Sequence, residues 1–464
     1  MVKSTLKQTI EDFRTLTSSF SKGETCGEYW RMEDALLGHK AICNYKLQMH
    51  KLTNPSQNHI SAQSAPPPPA PKESRHLSCI LVIALLALLL ILSHSSSPGP
   101  PPRSSAVLLP SSPPPPSLAY LLSGTAGDAD RLLRLLRAAY HPRNLYLLHL
   151  DGAAPQAQRD RLARAVRAVP AFRSTRNVHV IGKFDFANPR GSSSLAAILH
   201  GAAILLRLAP NWDWFINLDA SDYPLVTQDD LLHVFSFLPK DLSFVQHSSY
   251  IGWKELQRIK PIIVDPGLYL SARTDVFYAT QKRDLPNAYR LFTGSASVIL
   301  SRKFVEHCIL GTENLPRTLL MYYANTPSSH TNYFQTILCN SPEFNRTIVN
   351  HDLHYVAWDM PPKKEPRVLT LNDLENMTQS GAAFGRRFAK DGHILNHIDQ
   401  EVLNSSPGKI VPGGWCLRKG HGDPCMLRGN TDVLSPGPGA RRLAHFITQL
   451  LSIETFHSYQ CIWD

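Results

Sequence analysis

The chain has 464 residues, with 48 Lys and Arg against 37 Asp and Glu for a formal net charge of +11, and 43% of it is hydrophobic. That apolar share excludes global disorder, and 8 cysteines in so long a chain exclude a small disulfide-held scaffold. The basic balance is open to nucleic-acid binding, but there is no zinc-finger spacing, basic heptad region, RNA-binding signature, G-x-G-x-x-G or P-loop to support a nucleic-acid, dinucleotide or ATPase reading.

Four segments are predicted in chain order. Residues 1–76 read as a polar cytosolic tail with Pro66–Pro69 near its end, and Cys26 and Cys43 there are expected to be reduced. Residues 77–92, Leu77 to Leu92, carry no charge. As a helix rising about 1.5 Å per residue they would span ~24 Å. Lys72 and Arg75 precede this run and no basic residue follows before Arg103, which predicts a signal-anchor with the rest of the chain across the membrane. A cleaved signal peptide fits less well because some seventy residues come first, and a core helix fits less well because Pro/Ser tracts flank it on both sides. Residues 93–117, rich in Pro and Ser, read as an extended stem, leaving 118–464 as the folded head.

Within the head, strands are predicted at Leu118–Leu122, Asn144–Asp151 and Asn177–Gly182, and again from Trp212 toward Asp222. Helices are predicted at Asp130–Tyr140, Arg159–Val169 and Ser192–Leu208. Such alternation argues for an α/β fold, a mostly parallel sheet flanked by helices. Ligands bind beyond the carboxyl ends of such strands, where Asp151 and the Asp219/Asp222 pair fall. Trp212 and Trp214 read as core.

The succession Leu118-Ala119-Tyr120, Leu148-His149-Leu150-Asp151, Trp214-Phe215-Ile216-Asn217-Leu218 with Asp222-Tyr223-Pro224, Thr293-Gly294-Ser295, Phe304-Val305-Glu306 and Phe384-Gly385-Arg386-Arg387-Phe388 resembles the core-2/I-branching N-acetylglucosaminyltransferase family and its peptide O-xylosyltransferase relatives. Val349-Asn350-His351-Asp352-Leu353-His354-Tyr355, Val411 to Cys416 and the ending Gln460 to Asp464 look like the plant branch of that family, β-glucuronosyltransferases acting on arabinogalactan glycans. The resemblance implies a GT-A-like fold and an inverting transfer of glucuronic acid from UDP-glucuronic acid to galactan side chains of arabinogalactan proteins. It implies no metal or other cofactor, a UDP-sugar donor, a glycan acceptor on a glycoprotein, no nucleic acid, a Golgi membrane location with a lumenal head, and room for homo- or hetero-oligomers.

The resemblance also assigns residues. Arg386 and Arg387, with Lys390 as accessory, match the basic residues that meet the leaving diphosphate, where a planar guanidinium suits phosphate. Asp151 matches the position that reads the nucleotide base, with Ser123 and Gly124 lining the same cleft. Asp222 would orient the loop or touch the donor sugar. A metal role for Asp219 is the weaker alternative, because the spacing is D-x-x-D. The family's catalytic glutamate falls on Thr331, whose neutral hydroxyl is no effective base near pH 7. His330 could substitute, a carboxylate from Asp352 or Glu343 could serve, or the chain could be an inactive partner subunit that binds a glycan or UDP-sugar. A transferase using another UDP-sugar is the further alternative.

Cys308, Cys339, Cys416, Cys425 and Cys461 lie in the head, an odd number. Cys416 and Cys425 bracket a Gly-rich loop and are expected to pair, with a zinc site using His421 as the rival and Cys308–Cys339 as a further pairing. Asn345, Asn376 and Asn404 head glycosylation sequons.

Overall fold

The structure is a computed structural model that describes residues 113–461 apart from 183–184, 272, 274, 364, 391, 418–424 and 426–427. In chain order come β1 (Leu118–Gly124), α1 (Ala129–Ala138), β2 (Leu145–Leu150), α2 (Gln156–Ala168), β3 (Val178–Val180), α3 (Ser193–Leu208) and β4 (Trp214–Asp219), with a short helix Pro170–Thr175 before β3. β1 lies between β2 and β4 and parallel to both, and β3 pairs in parallel outside β2. β1 is apolar throughout its first five residues because both of its faces are covered. Tyr120 and Leu122 enter the layer shared with Leu132, Leu136 and Tyr146, while Ala119 and Leu121 enter the one shared with Leu195, Leu199 and Phe215. Gly201 lets α3 approach this second face, since a Cβ there would lie 2.7 Å from the Leu121 methyls. Cutting Leu121 back to Ala would cost about 2–5 kcal/mol.

The chain continues through β5 (Asp222–Pro224), α4 (Gln228–Phe235), β6 (Ser243–Phe244), β7 (His247–Ser248), α5 (Trp253–Ile259), β8 (Pro261–Val264), β9 (Phe277–Lys282), β10 (Thr293–Gly294) and β11 (Ile299–Ser301). After α6 (Arg302–Ile309), α7 (Asn314–Tyr323) and α8 (Tyr333–Asn340) come β12 (Ile348–Val349), β13 (His354–Val356) and β14 (Phe384–Arg386). The central sheet has the order β12-β6-β11-β4-β1-β2-β3. It is a mixed sheet, because β11 runs antiparallel to both β4 and β6. A second sheet, β13-β14-β5, includes the strand that follows β4 directly and sets Arg386 opposite Asp222. Trp212 and Trp214 are core residues, with their indole N–H groups donating to the carbonyls of Leu205 at 3.2 Å and Leu242 at 2.8 Å.

Two expectations are corrected. The single-pass membrane location is overturned: among the described residues no helix is long and apolar enough to cross a membrane, and the run 77–92 with its flanking tail and most of the stem lies outside the described residues. Cys339 does not pair with Cys308. It bonds Cys461, 122 residues away, and leaves Cys308 as a free thiol. Cys416 and Cys425 are bonded to each other, so neither thiol is free for a zinc ion, and His421 lies outside the described residues.

Candidate active site

Parallel strands release their connecting loops on one edge, and here three of them finish level. Ser123 is in register with Asp219, and Gly124 with Leu150. The Ser123 carbonyl accepts from the Ala220 N–H at 2.7 Å and the Gly124 carbonyl from the Asp151 N–H at 2.9 Å. Gly124 is confined by α1, since a Cβ there would sit 3.0 Å from both Asp128 and Leu132 side-chain atoms. Asp151 is buried, and its two oxygens accept the backbone N–H groups of Ala153 at 2.7 Å and Ala187 at 2.6 Å. It ties two loops of the cleft wall together, and a nucleotide base reaching it would share lone pairs already in use.

The arginine pair is divided between the last residue of β14, Arg386, and the residue just beyond it, Arg387. Arg386 points inward and grips the buried Asp222 carboxylate with two bonds, Nε to Oδ1 at 2.7 Å and Nη2 to Oδ2 at 3.2 Å. Its Nη1 donates to Ser297 Oγ at 2.8 Å. Asp222 also accepts the Asp219 N–H at 2.8 Å, while Asp219 takes the N–H and hydroxyl of Ser221 at 2.9 and 2.7 Å. Arg387 points outward, 44% exposed, and meets the exposed Glu365 at 2.5 Å. The chain then passes over the strand ends. The Phe388 N–H donates to the Ser221 carbonyl at 2.9 Å, and its carbonyl accepts from Arg131 at 2.9 Å. Half-exposed Lys390 thereby lies beside the loop after β1, its Nζ 3.7 Å from Asp128. Burial alone would raise the Asp128 carboxyl, but bonds from Thr125 and the Arg131 charge hold it below its ordinary value. Asp128 therefore remains an anion facing Lys390.

A second polar cluster gathers around Arg258. Thr331 Oγ donates to the Ser328 carbonyl at 2.9 Å and accepts from Arg258 Nη2 at 3.1 Å. Arg258 also reaches Asn332 Oδ1 at 3.1 Å and is paired with Glu255 of its own helix, α5. His330 Nδ1 is buried without a hydrogen-bond partner among the described residues. Burial, reinforced by the charges of Arg258 and Arg386, pushes the His330 pKa down to about 4. Asp352 is buried behind His354, whose backbone N–H it accepts at 3.1 Å and whose Nε2 lies 3.9 Å from Asp222. Glu343 follows the C-terminal end of α8, the end opposite Thr331, and pairs with Lys303 at 2.8 Å.

Residues 118–378 match the family described as Core-2/I-Branching enzyme. The chain belongs to the Core-2/I-branching enzyme family. It is 54% identical over 345 residues to the beta-glucuronosyltransferase GlcAT14A of Arabidopsis thaliana, covering 74% of this chain and 77% of that protein. Identity to GlcAT14C of the same plant is 47% over 343 residues, covering 74% of this chain and 84% of that one. Xylosyltransferase 1 of Rattus norvegicus is more distant, at 28% over 248 residues, 52% of this chain and 28% of that protein.

For this Core-2/I-branching member, the structure brings Ser123, Gly124, Asp151, Asp222, Arg386 and Lys390 to one edge of the sheet, with Arg387 on the outer surface of the same loop. Thr331 is held by Arg258 with His330 beside it in sequence, and Asp352 is buried against His354. The sequons lie elsewhere: Asn376 and Asn404 are exposed, while Asn345 is half-buried. Sequence reading missed Glu255 and Arg258. Within Trp253–Ile259 they look like an ordinary surface pair at i and i+3, and only the tertiary contact to Thr331 marks them out.

Proposed function

We propose that the chain is an inverting glucuronosyltransferase of GT-A type. It transfers glucuronic acid from UDP-glucuronic acid to galactan side chains of arabinogalactan proteins, and side-chain cations rather than a metal meet the leaving diphosphate. The relatives named beta-glucuronosyltransferase, 47–54% identical over about three quarters of the chain, support the donor sugar. The observation that carries the chemistry is the loop 386–390 laid against the loops that follow β1 and β4. Transfer builds negative charge on the departing phosphate, which fixed donors stabilise best when they need no reorganisation. Arg386 neutralises Asp222, the acid a cation would otherwise use. Among the described residues, the ion pairs of Arg387 and Lys390 are exposed or long contacts that a diphosphate displaces at little cost.

The test is turnover of a panel of UDP-sugars by the full chain with galactan oligosaccharides. UDP-glucuronic acid should be preferred, and release of UDP should persist in chelator. Changing Arg387 or Lys390 to Ala should weaken donor binding by roughly 10-fold or more, the weight of a charge-assisted bond to phosphate. UDP binding without turnover on any donor favours a non-catalytic glycan- or nucleotide-binding subunit, the reading that Thr331 motivates.

A further inference from the structure

Resting on that transferase reading, we propose that Glu255 is the general base of this chain, the carboxylate that removes the acceptor hydroxyl proton where Thr331 cannot. Its geometry is that of a relocated acid. Arg258 Nη2 touches both Glu255 Oε1 and Thr331 Oγ1, the latter at 3.1 Å, so a single guanidinium separates the carboxylate from position 331. Two side chains hold Glu255 there, and a third steadies one of them. Thr293 Oγ1 donates to Oε1 at 3.0 Å, Arg258 Nε lies 3.0 Å from each oxygen, and Arg258 is itself tied to Asn332. Oε1 takes several of these bonds while Oε2, among the described residues, takes Arg258 Nε alone, which leaves it a lone pair for the acceptor. The side chain is 22% exposed, enough for an acceptor hydroxyl to reach it.

The placement relative to the leaving group fits inversion. Thr293 touches Glu255 and Ser297 touches Arg386, so the base and the cation beneath the diphosphate loop stand at the two ends of one short segment. Four residue steps at ~3.3–3.6 Å put the Cα atoms of Thr293 and Ser297 at most ~14 Å apart. A donor sugar between them presents one face of C1 to the base side and the other to the phosphate side.

The other groups near position 331 serve less well. Protonating His330 would add a third positive charge beside Arg258 and Arg386. Asp352 is screened by His354, and Glu343 is at the wrong end of α8.

In the step, the acceptor oxygen forms a bond to C1 as the bond from C1 to the β-phosphate oxygen breaks, and that electron pair leaves with UDP. The hydroxyl proton passes to Glu255 Oε2 and from there to water after the products depart.

The experiment compares E255Q with the wild-type chain in UDP release and glycan product, alongside UDP affinity and melting temperature. The amide keeps an acceptor for Thr293 and Arg258 but cannot take a proton. The expected result is a fall in kcat of ~100-fold or more, the usual weight of general-base assistance, with UDP affinity unchanged. The double variant T331E/E255Q should recover at least ~10-fold of that loss by returning an acid to position 331. Should E255Q melt early, E255D decides the matter, since it keeps the charge on Arg258 but withdraws the oxygens by one methylene. It should lose turnover by ~10-fold or more, and wild-type rates would overturn the assignment. Wild-type turnover that survives E255Q overturns Glu255 and leaves the transferase reading standing. A wild-type chain that binds UDP but turns over no donor overturns both.

Discussion

Replacing Asp222 by Asn keeps the side chain's size but removes the charge that Arg386 was placed to meet. Asp222 is 1% exposed, and among the described residues Arg386 retains one other side-chain hydrogen-bond partner, Ser297. Removing one member of a buried ion pair costs about 3–5 kcal/mol because the other is left uncompensated. The Arg386 side chain is 22% exposed, so water relieves part of that penalty and the low end, ~3 kcal/mol, applies. With ~2.1 cal/mol/K of unfolding entropy per residue over roughly 350 folded residues, the melting temperature should fall by ~4 °C. The assay is a thermal melt of D222N, R386M and the double variant. The double variant should be no less stable than D222N, because it removes the orphaned charge together with its partner. An unchanged melt for D222N, or a double variant whose loss equals the two single losses added together, would refute the account of this pair.

Three further outcomes are expected. Burial first of all holds His141 at about 3 and His247 and His330 at about 4, against 6.5 for the free side chain, so the unfolded chain gains protons that the fold refuses. Unfolding free energy should therefore be at its full value above pH 6.5 and fall as pH drops toward 4, at up to ~4 kcal/mol per pH unit near pH 5. Denaturant titrations at pH 7, 6 and 5 read that slope directly, and a flat profile contradicts it. Gly294→Ala puts a Cβ onto the Gln246 carbonyl oxygen and spreads the β10–β7 pair, so turnover should drop by more than ~10-fold while UDP affinity changes less. Cys461→Ser opens the crosslink that closes 122 residues. It should lower stability by about 2–5 kcal/mol, read as an earlier melt.

Much of the sheet was legible because local patterns carried it. Apolar runs ending in Ser123, Asp151 and Asp219 mark strand ends, and the helices between them show their buried faces as Leu spacing. The antiparallel β11 was not legible, since three residues carry no direction. Neither was the pairing of Asp222 with Arg386, 164 positions apart, nor the bond from Cys339 to Cys461. The adjacent arginines looked alike in the sequence, and only their distant partners, buried Asp222 for one and exposed Glu365 for the other, tell them apart. Glu255 escaped notice for the same reason: its meaning comes from Thr331, 76 positions later, and from the cation they share.

That shared cation constrains how this region tolerates change. Arg258 supplies one positive charge to two neighbouring positions, so an acid at 331 added beside Glu255 would set two anions in competition for the same guanidinium. Random libraries covering both codons should therefore yield functional clones with a single acid at either place and few with both. The order in which the two codons mutate then decides whether an intermediate keeps working.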